Sequence, residues 1–163
     1  MLVRGGAVSA GRLATFAVIV LGWTALAAAK DIALISNKAN HVETVSLADL
    51  VKICKGQTNR WPDGKPVTLV MRDPASAEMK LVLQKIYEMS KEDVAVLIAS
   101  ANHNRQNHPA IVVADSDEGV VKKAESTPGA VGLVDVYAIT GGVTVVRVEG
   151  KLPLEPAYAL HGN

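Results

Sequence analysis

The sequence predicts an α/β fold, a three-layer sandwich with a mostly parallel sheet, and two observations carry that reading. Short runs rich in Val, Ile and Leu alternate with stretches whose apolar residues recur at i, i+3, i+4 and i+7, one face of a helix. Strands separated by helices suit parallel neighbours, because parallel pairing needs a helical crossover.

The elements follow in order. Asp31-Ile32-Ala33-Leu34-Ile35 is a compact apolar run, short enough for a strand buried on both faces. Ser46 opens the first helix, with Asp49 at the capping-box spacing. Leu47, Leu50, Val51 and Cys54 form its apolar face, so Cys54 is read as a small buried hydrophobe. Gly56 ends that helix as a C-terminal glycine. Trp61-Pro62-Asp63-Gly64 is a turn by composition, and Pro66 to Met71 is the second strand. Asp73 then caps a helix whose first position is Pro74, where a missing N–H costs nothing; Met79, Val82, Leu83 and Ile86 are its stripe. Ser90, with Asp93 three residues on, opens a helix that buries Val94, Leu97, Ile98 and Ala101. Residues 102–109 form a polar loop, and Ile111-Val112-Val113 a short strand. Asp115 with Glu118 opens a helix carrying Val120, Val121 and Ala124, which Thr127-Pro128-Gly129 stops. Residues 130–134 and 143–148 are the last strands, and the tail from Lys151 has two prolines and no period.

Residues 1–29 have the parts of a secretory signal peptide. Arg4 and Arg12 make a positive start, Leu13 to Ala29 is almost wholly apolar, and Ala27-Ala28-Ala29 offers small residues for cleavage. A bilayer core needs roughly 20 apolar residues, so an uncleaved segment would instead be an anchor. Either way, residues 30–163 are expected to form a single domain outside the cytoplasm, in the periplasm, and the membrane is a partner only if the segment is kept. Without its leader the chain carries 15 Lys+Arg against 16 Asp+Glu, a formal charge of −1. That balance gives no basic field for nucleic acid or anionic lipid. One cysteine cannot form an internal disulfide, so packing alone must hold the domain.

Catalytic and cofactor motifs are missing. The chain has no G-x-S-x-G elbow, no H-E-x-x-H, no phosphate-binding G-x-x-x-x-G-K-S/T and no C-x-x-C, so no enzyme and no cofactor are expected. His41, His103 and His108 fall in loop sequence with no spacing that demands a metal. The place that suits a ligand is the carboxyl end of the second strand, where open α/β sheets bind. There Arg72 supplies a cation, Ser76 a hydroxyl, and the following helix start its backbone donors, a set that fits an oxyanion. The plainer alternative keeps Asp73 as a helix cap and pairs Arg72 with it or with solvent.

Taken together, these segments resemble the periplasmic substrate-binding protein of phosphate ABC transporters, a PBP-like domain family, in one lobe only. Ser46-Leu47-Ala48-Asp49-Leu50 through Lys55-Gly56 is similar to the family's L-x-D-I-F-x-G-K helix. Arg60-Trp61-Pro62-Asp63-Gly64 is similar to its W-x-D-G turn, and Thr127-Pro128-Gly129-Ala130-Val131-Gly132 to its T-P-G-A-I-G-Y strand entry. Val148 to Leu154 resembles the segment that leads back to the first lobe. Val70-Met71-Arg72-Asp73 with Ser76 falls where the family has its R-x-D-G-S-G-T anion loop.

The resemblance implies one lobe of a type II periplasmic binding protein, with phosphate or a related oxyanion held at Arg72, Asp73 and Ser76. Pro74, Ala75, Ala77 and Glu78 depart from the loop, replacing an Asp, two Gly and a Thr. Losing the glycines limits close backbone approach, and a carboxylate opposes phosphate. The alternative is therefore a periplasmic interaction module that keeps the fold without the ligand and binds a protein partner or itself.

Overall fold

The computed structural model describes residues 30–162. The leader expected over residues 1–29 lies outside the described residues. No helix among the described residues is long and apolar enough to cross a membrane.

Strand β1 (Ile32–Asn37) is buried at every residue and lies inside a six-stranded sheet. The others are β2 (Thr44–Val45), β3 (Thr68–Arg72), β4 (Ile111–Ala114), β5 (Ala130–Asp135) and β6 (Val143–Val148), in the order β2-β6-β1-β5-β3-β4. β1 runs antiparallel to both β5 and β6, with Leu34 opposite Leu133 on one side and Val146 on the other. The remaining pairings, β2 with β6 and β3 with β4 and β5, are parallel. Only β1 therefore opposes the common direction.

The pleat sorts side chains into two cores. Ile32, Leu34, Leu69 and Met71 face helix α1 (Leu47–Cys54), the segment 77–87 and helix α3 (Lys91–Asn102), while Ala33, Ile35 and Val70 face helix α4 (Asp117–Ser126). Helices thus cover both faces, and the three layers follow. Helix α3 lies against the edge strand β4. Only Val94 of its expected stripe is fully buried; Leu97, Ile98 and Ala101 pack from the rim.

Helix starts follow local chemistry. Ser46 Oγ accepts from Asp49 N at 3.0 Å and Ser90 Oγ from Asp93 N at 3.1 Å, each satisfying an otherwise orphaned donor. At α4 the cap is Ser116, which accepts from Gly119 N at 3.0 Å, in place of the expected Asp115 with Glu118. Helix α1 ends in a Schellman turn: Gly56 at φ +67° donates to Ile53 O, and Gln57 N donates to Lys52 O.

The helix expected from Pro74 does not form as such. Asp73 closes a turn instead, with its Oδ1 accepting from Ala75 N at 2.7 Å and its carbonyl from Ser76 N at 2.8 Å. After it come a 3₁₀ turn (Ala77–Met79), a single α turn α2 (Lys80–Val82) and a wide π turn (Leu83–Tyr87). Met79, Val82 and Ile86 still reach the core, and the wide turn adds Tyr87. Its hydroxyl donates to Cys54 O at 2.8 Å, one of the carbonyls that the end of α1 leaves open. Cys54 is buried as expected, and burial pushes its thiol pKa well above the ordinary value.

Two turns far apart in sequence lock the sheet. Trp61 Nε1 donates to Gly129 O at 2.8 Å, and Gly129 N donates to Asn40 Oδ1 at 2.8 Å. Gly129 has φ +88°, and a Cβ there would sit 2.0 Å from Pro66 O. Gly129→Ala therefore combines backbone strain with a backbone clash, and a loss of about 3 kcal/mol or more is expected. Urea unfolding of the variant beside the parent measures it; an unchanged midpoint would refute the turn-on-turn account.

Candidate functional site

The parallel strands all finish at one edge of the sheet. β3 delivers Arg72 there, β5 delivers Asp135, and β4 leads into the start of α4 with Asp117 in its first turn. Because β1 runs the other way, its entry brings Lys30 and Asp31 to the same edge. One reversed strand thus places its own entry beside the ends of β3, β4 and β5.

Arg72 is largely enclosed, with 18% of its side chain exposed. Its guanidinium lies 3.7 Å from Glu78 Oε2 and 3.4 Å from Asp117 Oδ1. Charge-assisted hydrogen bonds close to about 2.7–2.9 Å, so both ion pairs are loose. Ser76 Oγ and Asp117 Oδ1 are shut off from solvent and have no hydrogen-bond partner among the described residues. The corner thus holds a planar cation in two loose ion pairs, and the turn that follows it carries the unpartnered Ser76 hydroxyl.

The three residues singled out in sequence are treated unequally. Arg72 stands at this corner, and Ser76 follows it across the turn that Asp73 closes. Asp73 is next to them, but its side chain is spent on its own turn. Ser76 precedes a three-residue 3₁₀ turn rather than sitting inside a helix, so no long helix N-terminus backs the corner. The nearby α4 start is capped by Ser116 and already carries Asp117 and Glu118 in its first turn, which meet the positive end of that helix.

Sequence reading missed Asp117 and Lys30. Asp117 is legible only through strand order, since a helix that follows β4 must start beside the end of β3 when the two strands are parallel. Lys30 Nζ lies 3.0 Å from Asp135 Oδ2. The hydrogen bond and charge of Asp135 raise the Lys30 pKa, with smaller contributions from Glu78 and Asp117. The corner holds Arg72 and Lys30 against Glu78, Asp117 and Asp135, an excess of negative charge.

A sequence profile described as a PBP superfamily domain matches residues 17–156. No curated protein matches the chain. Among solved structures, an ABC-type phosphate transport receptor from Vibrio cholerae superposes with a TM-score of 0.63 at 17% identity, covering 82% of this chain and 54% of that one. A chain described as a phosphate ABC transporter substrate-binding protein, from Clostridium perfringens with bound phosphate, gives 0.65 at 18%, covering 82% and 53%. PstS from Borrelia burgdorferi gives 0.62 at 15%, covering 83% and 55%. The chain spans about half the length of each of these structures, and at these identities the likeness is one of fold.

The loose pairing around Arg72 has a measurable consequence. Arg72→Ala leaves Glu78 and Asp117 facing each other and should cost about 1–2 kcal/mol of stability. Combining it with Asp117→Asn should recover about 1 kcal/mol of that loss as coupling. A urea double-mutant cycle reads this, and strictly additive losses would show that the pair does not interact.

Proposed function

The chain belongs to the PBP superfamily, and we propose from that premise that it is an extracytoplasmic solute-binding domain of the phosphate-receptor kind. Its single lobe would offer one half of an oxyanion cleft. The observation that carries this is Arg72 itself, an enclosed guanidinium at the carboxyl end of β3 whose ion pairs at 3.7 and 3.4 Å leave its donors available, beside the unpartnered Ser76 Oγ. Phosphate and related tetrahedral oxyanions fit that donor set. Asp73 adds a rigid turn that sets Ser76 relative to Arg72, rather than a ligand contact. The apolar leader-like stretch within residues 1–29 supports the extracytoplasmic assignment.

Glu78 and Asp117 set the strength of the site. An incoming dianion meets their charge, so the binding proposed is weak and both carboxylates limit it. Thermal unfolding in increasing phosphate at constant ionic strength tests this. Saturation at 100 times the dissociation constant adds about 2.7 kcal/mol to the folded state. Glu78→Gln should strengthen the stabilisation, and Arg72→Ala should remove it. If phosphate leaves the Tm of both the parent and Glu78→Gln unmoved, the oxyanion reading fails.

A second reading, an interaction module, is favoured by a separate observation. Tyr137, just beyond β5, is 73% exposed, and Leu154, whose N–H is bonded to Asp31, is 62% exposed. Both large apolar groups stand at the edge that carries Arg72, and a partner chain or a second copy would cover them. Sedimentation velocity of the parent and of Tyr137→Ser with Leu154→Ser tests self-association. Association that the double substitution disperses supports this reading, and a parent that stays monomeric at high concentration removes the second copy as the partner.

A further inference from the structure

The described arginines divide into two kinds. Arg72 and Arg147 face carboxylates, Arg147 at 3.6 Å from Glu155. Arg60 and Arg105 make no ion pair among the described residues, and both line one surface groove of about 560 Å³. The groove lies at the edge opposite Arg72, because Arg60 bridges to Pro66 just before β3 begins and Arg105 lies in the loop that leads into β4. No carboxylate lines it. Its other polar walls are His108 and the amide residues Asn59, Asn104, Gln106 and Asn107.

Both guanidiniums are held while most of their donors stay free. Arg60 Nη1 donates to Gly64 O at 2.7 Å, and Arg105 Nη2 donates to Asn59 Oδ1. The loop that carries Arg105 is closed at its base by Asn102, whose side chain donates to Ile111 O at 2.7 Å and accepts from Ile111 N at 3.0 Å. Thr68 Oγ1 fixes Pro109 O at 3.0 Å. Such pre-ordering lowers the entropy cost of binding. The groove falls in the size range of small-molecule sites, yet apart from Pro66 and Val67 its walls are polar. Two separate guanidiniums suit a ligand with two separate anionic groups, each able to take a forked pair of hydrogen bonds.

We propose that this groove is a second anion site, which takes a small ligand carrying two or more linked phosphate groups across Arg60 and Arg105. It stands apart from the reading of the Arg72 corner, with different residues at the opposite edge of the sheet. Linking two weakly held groups makes the second contact intramolecular, so a linear oligophosphate binds far better than orthophosphate does.

Titration calorimetry of the full chain with tripolyphosphate tests the proposal, with orthophosphate and citrate as comparators. Tripolyphosphate should bind at least about tenfold more tightly than orthophosphate, and raising the salt several-fold should weaken it. Arg60→Gln and Arg105→Gln should each weaken it about tenfold, while Arg147→Gln, an equal loss of charge outside the groove, should change it little. Arg105→Gln keeps the test independent of the fold, because Arg105 contributes no backbone contact to the Trp61 turn. Three results would overturn the assignment: no binding of tripolyphosphate, equal loss from Arg147→Gln and Arg105→Gln, or citrate binding as tightly as tripolyphosphate.

Discussion

Everything in this lobe is arranged around a strand that is buried on both faces and hydrogen-bonded along both edges. β1 can occupy that position only if its polar ends are satisfied, because an unpaired buried group costs several times what a good contact contributes. The chain solves this with its own tail. Ile32 N donates to Leu160 O at 3.1 Å, and Tyr158 Oη donates to Ile32 O at 2.9 Å. Asp31, only 1% exposed, accepts from Leu154 N at 2.6 Å and meets His161 Nδ1 at 2.5 Å. A segment without any hydrophobic period thus completes the core, and Tyr158 and Leu160 are buried by it.

The reversed direction of β1 also decides the electrostatics of the edge that carries Arg72. Had β1 run with its neighbours, its start would lie at the far edge, and Lys30 and Asp31 with it. Instead they join the ends of β3 and β5, where Asp135 holds Lys30 and two further carboxylates attend Arg72. Acids there outnumber the cations. At the opposite edge, Arg60 and Arg105 are held by a carbonyl and an amide, neutral acceptors that leave their charge uncompensated. A chain with almost no net charge can therefore present two edges of different character, because what a ligand meets is local charge and not the total.

The regular elements were legible because local chemistry marks them. Ser46 and Ser90 cap their helices as their sequence spacing requires, Gly56 closes α1, and β3 and β5 lie within a residue or two of their expected limits. The misreadings share a cause. Asp73-Pro74 looks like a helix start, yet the carboxylate binds Ala75 N and closes a turn, a local choice that sequence leaves evenly balanced. The Met79 to Ile86 stripe predicts one regular helix, but the backbone widens over Leu83–Tyr87, and Tyr87 there bonds to Cys54 O, a partner 33 positions away that the local stripe does not encode.

What the sequence determined by itself was the alternation of strands and helices, the capping of most helices and the presence of Arg72 and Ser76 on either side of one turn. Those features depend on residues within a few positions of each other. The tertiary structure alone decided that Asp117, 45 positions beyond Arg72, would share its corner, and that Arg60 and Arg105 would line one groove. It also decided that the aperiodic tail would seal β1. Charge and hydrogen bonding act through space, and the neighbours of a side chain are fixed by sheet order and strand direction, which local pattern does not encode.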